Sequence, residues 1–70
     1  MADKLRKLLD AIYAADRVDQ LGTLPGWCLH PLKGDLKGFW SLLVTGNWRL
    51  IFRHDEKTNT AHDIDLIDYH

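Results

Sequence analysis

Residues 38–52 read "GFWSLLVTGNWRLIF", and this stretch decides the fold. Two runs rich in aromatic and aliphatic residues flank "TGN", a connection short enough for a β-hairpin in which Gly46 supplies positive φ. Alternation along the second run puts Trp48, Leu50 and Phe52 on one face and leaves Arg49, Ile51 and Arg53 on the other. Both tryptophans, Trp40 and Trp48, read as sheet core. Downstream, "HDEKTNT" (residues 54–60) is a polar turn and "AHDIDLID" (residues 61–68) a further strand. There Ile64 and Leu66 alternate with Asp63 and Asp65, giving one apolar face and one acidic face whose charges discourage edge-to-edge aggregation.

Upstream of the hairpin the period changes. Leu5, Leu8, Leu9, Ile12 and Tyr13 recur at the spacing of one helical face, with Lys4, Arg6, Lys7 and Asp10 on the other side and Asp3 as a candidate N-cap. "ADRVDQLG" offers a second short turn of helix, and "TLPG" (residues 23–26) closes the helical half. The expected architecture is α+β: one or two N-terminal helices packed on one face of a three- to four-stranded antiparallel sheet. The helical part is expected over about residues 2–22 and the sheet over about 26–70, as a single domain 1–70. Because helices cover one sheet face, polar strand residues such as Arg49 are expected to gather on the other, where rigid elements can hold a substrate.

A chain of 70 residues buries a small fraction of its surface and gains most from disulfides, metals or partner chains. The lone Cys28 rules out an intrachain disulfide and suits a reducing cytoplasm. No apolar run approaches a membrane span, and "MADKLRKLLD" lacks a signal-peptide core. The net charge of −1 conceals an uneven distribution. Between residues 28 and 53, Lys33, Lys37, Arg49 and Arg53 face the single acid Asp35, whereas beyond residue 53 Lys57 is outnumbered by Asp55, Glu56, Asp63, Asp65 and Asp68. The middle of the chain can therefore hold an anion. His54, His62 and His70 recur every eight residues, which is not a ligand spacing, so no metal site is expected.

The run "LHPLKGDLKGFWSLLVTGNWRLIF" (residues 29–52), followed by the ending "DYH" (residues 68–70), resembles the HigB-type toxins of the RelE and ParE superfamily. The resemblance spans most of the chain. It implies the toxin half of a bacterial type II toxin-antitoxin pair: a ribosome-dependent, metal-independent endoribonuclease that cuts mRNA and is neutralised by a helix-turn-helix, HigA-like antitoxin. Carried over by position, the implied catalytic residues are His30, Arg49, Asp68, Tyr69 and His70, and Lys33 joins them as a phosphate contact. Lys37 and Arg53 add to the basic, phosphate-binding surface. No cofactor is implied. The resemblance also implies an earlier strand and a longer first helix, so an uncovered sheet edge and self-association through it are expected here. Where many relatives carry a basic or polar residue, this strand has Leu43.

Elementary chemistry agrees with these roles. Cutting RNA with side chains alone needs a base for the ribose 2′-hydroxyl and an acid for the departing 5′-oxygen, tasks that suit imidazole. His30 and His70 fill them in one order or the other. A fixed guanidinium, Arg49, stabilises charge spread over the phosphate oxygens. Tyr69 can stack on a base or donate a hydrogen bond, and Asp68 can orient an imidazole. The alternative reading is a catalytically inactive homologue that only binds an antitoxin or another protein, as ParE-like relatives do. The two imidazoles weigh against the gyrase-binding, ParE-like version, because a pure binder has no need of a paired acid and base, whereas the expected lack of the N-terminal strand keeps an antitoxin-binding remnant open.

Overall fold

The computed structural model describes residues 2–23 and 26–68. Helix α1 spans Ala2–Ala14 and is followed by a 3₁₀ turn at Val18–Thr23. Four strands then follow: β1 His30–Pro31, β2 Trp40–Thr45, β3 Trp48–Asp55 and β4 Thr60–Asp68. They form an antiparallel sheet in the order β1-β2-β3-β4, so each strand pairs with its neighbour in sequence.

The hairpin forms where the sequence places it. Gly46 adopts φ 54° at the first central position between β2 and β3, the position at which a type II′ turn demands glycine. Leu42 then pairs with Leu50 and Trp40 with Phe52, which puts the large apolar residues of both strands on one face. Leu8 and Ile12 of α1 insert against that face, and Leu21 of the 3₁₀ turn closes the core. Phe52, Leu8, Ile12, Leu42 and Val44 are the largest fully buried side chains. Two details of the helical half differ from expectation. The helix already begins at Ala2, so Asp3 lies inside its first turn, where a carboxylate favours the dipole rather than capping it. Tyr13, although in phase with the apolar stripe, is 65% exposed at the last turn. Of the closing turn at residues 23–26, Leu24 and Pro25 lie outside the described residues.

Trp40 is half-buried and packs on the core, as expected, but Trp48 is 37% exposed and lies outside the core cluster. As the first residue of β3, beside the turn, it sits at the rim of the apolar layer.

β4 departs from simple alternation. Ala61, Ile64 and Leu66 all contribute to the core, yet Ala61 and Ile64 are three residues apart, an odd spacing that a regular strand places on opposite faces. A bulge resolves the conflict: the pairing shifts between Ile51 and Arg53, and Asp63 takes φ 53°. The extra residue lets both apolar side chains point inward. The two edge strands carry features that blunt pairing with another sheet: Pro31 on β1, and the bulge with exposed Asp63 and Asp65 on β4.

The second sheet face is less polar than expected. Cross-strand pairing groups His30, Ser41, Ile51 and Asp65 in one row and Leu43, Arg49 and Ile67 in the next. Ile51 is only 4% exposed and Ser41 5%.

Candidate active site

On the sheet face opposite α1 lies a concavity of about 320 Å³. His30 and Arg49 both line it, with Ser41 between them, while Leu29, Leu32, Ile51 and Ile67 form apolar walls. The strands set this arrangement. His30 is in register with Ser41, Ser41 with Ile51, and Arg49 lies two residues before Ile51 on the same face of β3. With strands about 4.8 Å apart and about 3.4 Å per residue along them, the Cα atoms of His30 and Arg49 stand roughly 12 Å apart. That separation leaves room for one phosphodiester between an imidazole and a guanidinium reaching from opposite sides.

The segment carrying His30 is anchored just upstream, where the Leu43 N–H donates to the Trp27 carbonyl at 2.8 Å. The next residue, Cys28, also lines the concavity and takes φ 52°, a left-handed conformation that costs a non-glycine residue about 1–2 kcal/mol. Pro31 follows His30 and removes a backbone donor on the outer strand, a position where proline is tolerated.

Arg49 is half-buried, and its Nη1 donates to the carbonyl oxygens of Gly46 at 3.0 Å and Trp48 at 3.2 Å. Both acceptors are neutral backbone groups of the β2–β3 turn. They orient the guanidinium without neutralising it, the condition a phosphate-binding cation requires.

Arg53 is held differently. Its guanidinium lies 4.5 Å above the Phe39 ring, and its Nε is 3.7 Å from the Asp63 carboxylate, which also stands 3.3 Å from Nδ1 of His62. This cation therefore already has an aromatic and an acidic partner, four residues along β3 from Arg49. Lys33 and Lys37 flank a three-residue 3₁₀ turn, Gly34–Leu36, between β1 and β2. Both are exposed, and neither is among the residues that line the concavity.

β4 carries the chain back to this end of the sheet. Ile67 is in register with Arg49, and Asp68 with Trp48. Alternation starts the Asp68 side chain on the face opposite Arg49, although its backbone runs beside the β2–β3 turn. Tyr69 and His70 lie outside the described residues. His54 and His62 do not share a face, because His54 pairs with the core residue Ala61 while His62 pairs with Arg53.

The sequence pattern did not single out Ser41 or the apolar walls. A small hydroxyl residue in the interior of a largely apolar strand was the available signal, but its relation to His30 depends on the pairing of a two-residue strand.

Comparison with known proteins gives the family. Residues 1–70 match the family described as the RelE-like toxin of type II toxin-antitoxin system HigB. The chain belongs to the HigB-like toxin family. This HigB-like toxin is 35% identical over 71 residues to the protein named Endoribonuclease HigB from Proteus vulgaris, an alignment covering 99% of this chain and 75% of that relative.

Proposed function

We propose that this HigB-like toxin is an endoribonuclease that cleaves mRNA within the ribosome, acting at the concavity between His30 and Arg49. The toxin and endoribonuclease assignments rest on the family and on the relative. One observation carries the location: an imidazole and a turn-anchored guanidinium line one concavity on a rigid sheet.

The chemistry follows from those groups. A base removes the proton from the ribose 2′-hydroxyl, and O2′ attacks the adjacent phosphorus. The bond from phosphorus to O5′ breaks, and an acid delivers a proton to the departing oxygen. The products are a 2′,3′-cyclic phosphate and a 5′-hydroxyl. His30 and His70 supply the base and the acid, Arg49 compensates the charge that grows on the phosphate oxygens, and Asp68 and Tyr69 support the C-terminal imidazole and the substrate base. Lys33, Lys37 and Arg53 extend the cationic surface that holds the flanking RNA. The reaction proceeds without a metal, in the cytoplasm, and a helix-turn-helix, HigA-like antitoxin restrains it.

The test is induced expression in bacteria with mapping of mRNA 5′ ends, followed by purified toxin acting on mRNA with and without ribosomes and with EDTA. Growth arrest with new 5′ ends in translated regions, cleavage only with ribosomes present, and indifference of the chemical step to chelation on pre-bound complexes are expected. A folded wild-type protein that leaves translated mRNA intact overturns the assignment.

A further inference from the structure

Ser41 is the one polar side chain in the buried class among the described residues. Its setting is the strand Trp40–Thr45, aromatic and aliphatic apart from Ser41 and the terminal Thr45, in which a β-branched or larger apolar residue packs better than serine. Burying a hydroxyl in such a layer is unfavourable unless a partner meets it. The position nonetheless faces away from the core. It lies in the row of His30 and Ile51 and forms part of the lining of the 320 Å³ concavity.

Two physical consequences follow from its place. One strand spacing separates its Cα from that of His30, about 5 Å, and one strand plus two residues separates it from Arg49, about 8 Å. A phosphate bridging His30 and Arg49 therefore passes over Ser41. The side chain is also small, so the floor of the concavity stays open between Leu29, His30 and Ile51.

We propose that the Ser41 hydroxyl donates a hydrogen bond to a non-bridging oxygen of the scissile phosphate, which makes Ser41 a third substrate-contacting residue beside His30 and Arg49. This inference rests on the endoribonuclease reading of the same concavity. The hydroxyl transfers no proton. It is a fixed dipole aimed at oxygens that gain charge as O2′ attacks, and such donors act mainly on the transition state. Loss of the hydroxyl therefore lowers kcat and leaves KM nearly unchanged. Arg49 approaches from the β3 side and Ser41 from below, so the two engage different oxygens of the phosphate.

The experiment compares wild type, Ser41→Ala and Ser41→Cys on ribosome-bound mRNA carrying a single phosphorothioate at the cleavage position, with each diastereomer tested separately. Cysteine keeps the shape of serine with a slightly larger atom and is a weak donor, and it serves as the second variant should alanine unfold the strand. Both variants are expected to lose about ten- to a hundredfold in kcat on the all-oxygen substrate, with KM within about threefold of wild type. Wild type is expected to cut the two diastereomers at unequal rates, and the variants to lose the part of that discrimination due to Ser41. A folded variant with wild-type kcat and unaltered diastereomer preference overturns the role of Ser41 while the endoribonuclease reading stands. A wild-type protein that cuts neither substrate overturns both.

Discussion

Replacement of Arg49 separates its proposed catalytic role from its place in the sheet. The guanidinium is fixed by two bonds from Nη1 to turn carbonyls, at 3.0 and 3.2 Å, before any substrate arrives. A donor preorganised in this way typically contributes about 3–4 kcal/mol to the transition state, so Arg49→Ala should lower single-turnover cleavage by about 100- to 1000-fold. Arg49→Lys keeps a charge near the phosphate but loses the planar fork that satisfies carbonyls and phosphate together, and an intermediate loss of about 10- to 50-fold is expected. The structural cost of either change is small. The two carbonyl bonds are exposed, so their loss should remove no more than about 1 kcal/mol and shift the melting midpoint by less than about 8 °C. The assay pairs cleavage of translated mRNA under saturating toxin with a circular dichroism melt of each variant. If Arg49→Ala cuts within threefold of wild type while melting normally, Arg49 is a surface cation and the site lies elsewhere.

The remaining predictions concern stability and the second cation. Leu8→Ala, at a fully buried position, should cost about 3 kcal/mol in urea unfolding, a large share of the roughly 4–10 kcal/mol expected for a domain of this size; a loss under about 1 kcal/mol contradicts the packing. His54→Phe should leave stability unchanged or raise it by about 1 kcal/mol, because both ring nitrogens are buried without hydrogen-bond partners, and a clear loss would reveal a partner for them. At Asp63, with φ 53°, glycine should be more stable than alanine by about 1 kcal/mol, and the reverse order in thermal melts would remove the bulge from the account. Arg53→Ala should reduce cleavage less than about fivefold, since its guanidinium is already engaged by Phe39 and Asp63; a loss matching that of Arg49→Ala would place the phosphate path over Arg53.

The hairpin was legible because its signals are local. "TGN" at residues 45–47 allows few turns, and a period of two then assigns Arg49 to the face away from Leu50 and Phe52 without knowledge of any other strand. The helix was legible for the same reason, through the spacing of Leu5, Leu8, Leu9 and Ile12. What the sequence concealed depends on long-range pairing. β1 has only two residues, too few for any periodicity, yet its register with Ser41 determines that His30 shares the concavity with Arg49. The bulge at Asp63 was hidden because aspartate also occupies regular strand positions, as Asp65 does, and nothing local marks which of them takes positive φ; the conflict between Ala61 and Ile64 depends on both facing the core. The exposure of Trp48 is not encoded in the alternation, because face assignment says nothing about how far the core extends along a strand.

Two arginines on one face of β3 meet different neighbours. A regular ladder continuing from the Ile51–Asp65 pair would set Asp63 opposite Arg53, and the bulge sets His62 there instead. Asp63 still stands beside it, its carboxylate 3.7 Å from Nε, and the Phe39 ring lies 4.5 Å from the guanidinium. Nothing comparable happens at Arg49, whose cross-strand neighbours Leu43 and Ile67 are apolar and bring no counter-charge. An apolar neighbour also lowers the local dielectric, which strengthens the attraction between a guanidinium and an incoming phosphate. Leucine at position 43 and isoleucine at position 67, unremarkable as strand residues, thus leave Arg49 as a cation on this face, among the described strand residues, whose charge a phosphate can meet. Placing an acid beside Arg49 should therefore disarm it. Leu43→Glu sets a carboxylate in register with Arg49, and it should reduce cleavage as severely as Arg49→Ala while the protein remains folded; the double variant Leu43→Glu/Arg49→Ala should then be little worse than either single change. Full activity in a folded Leu43→Glu protein would show that the charge of Arg49 is not what the phosphate meets.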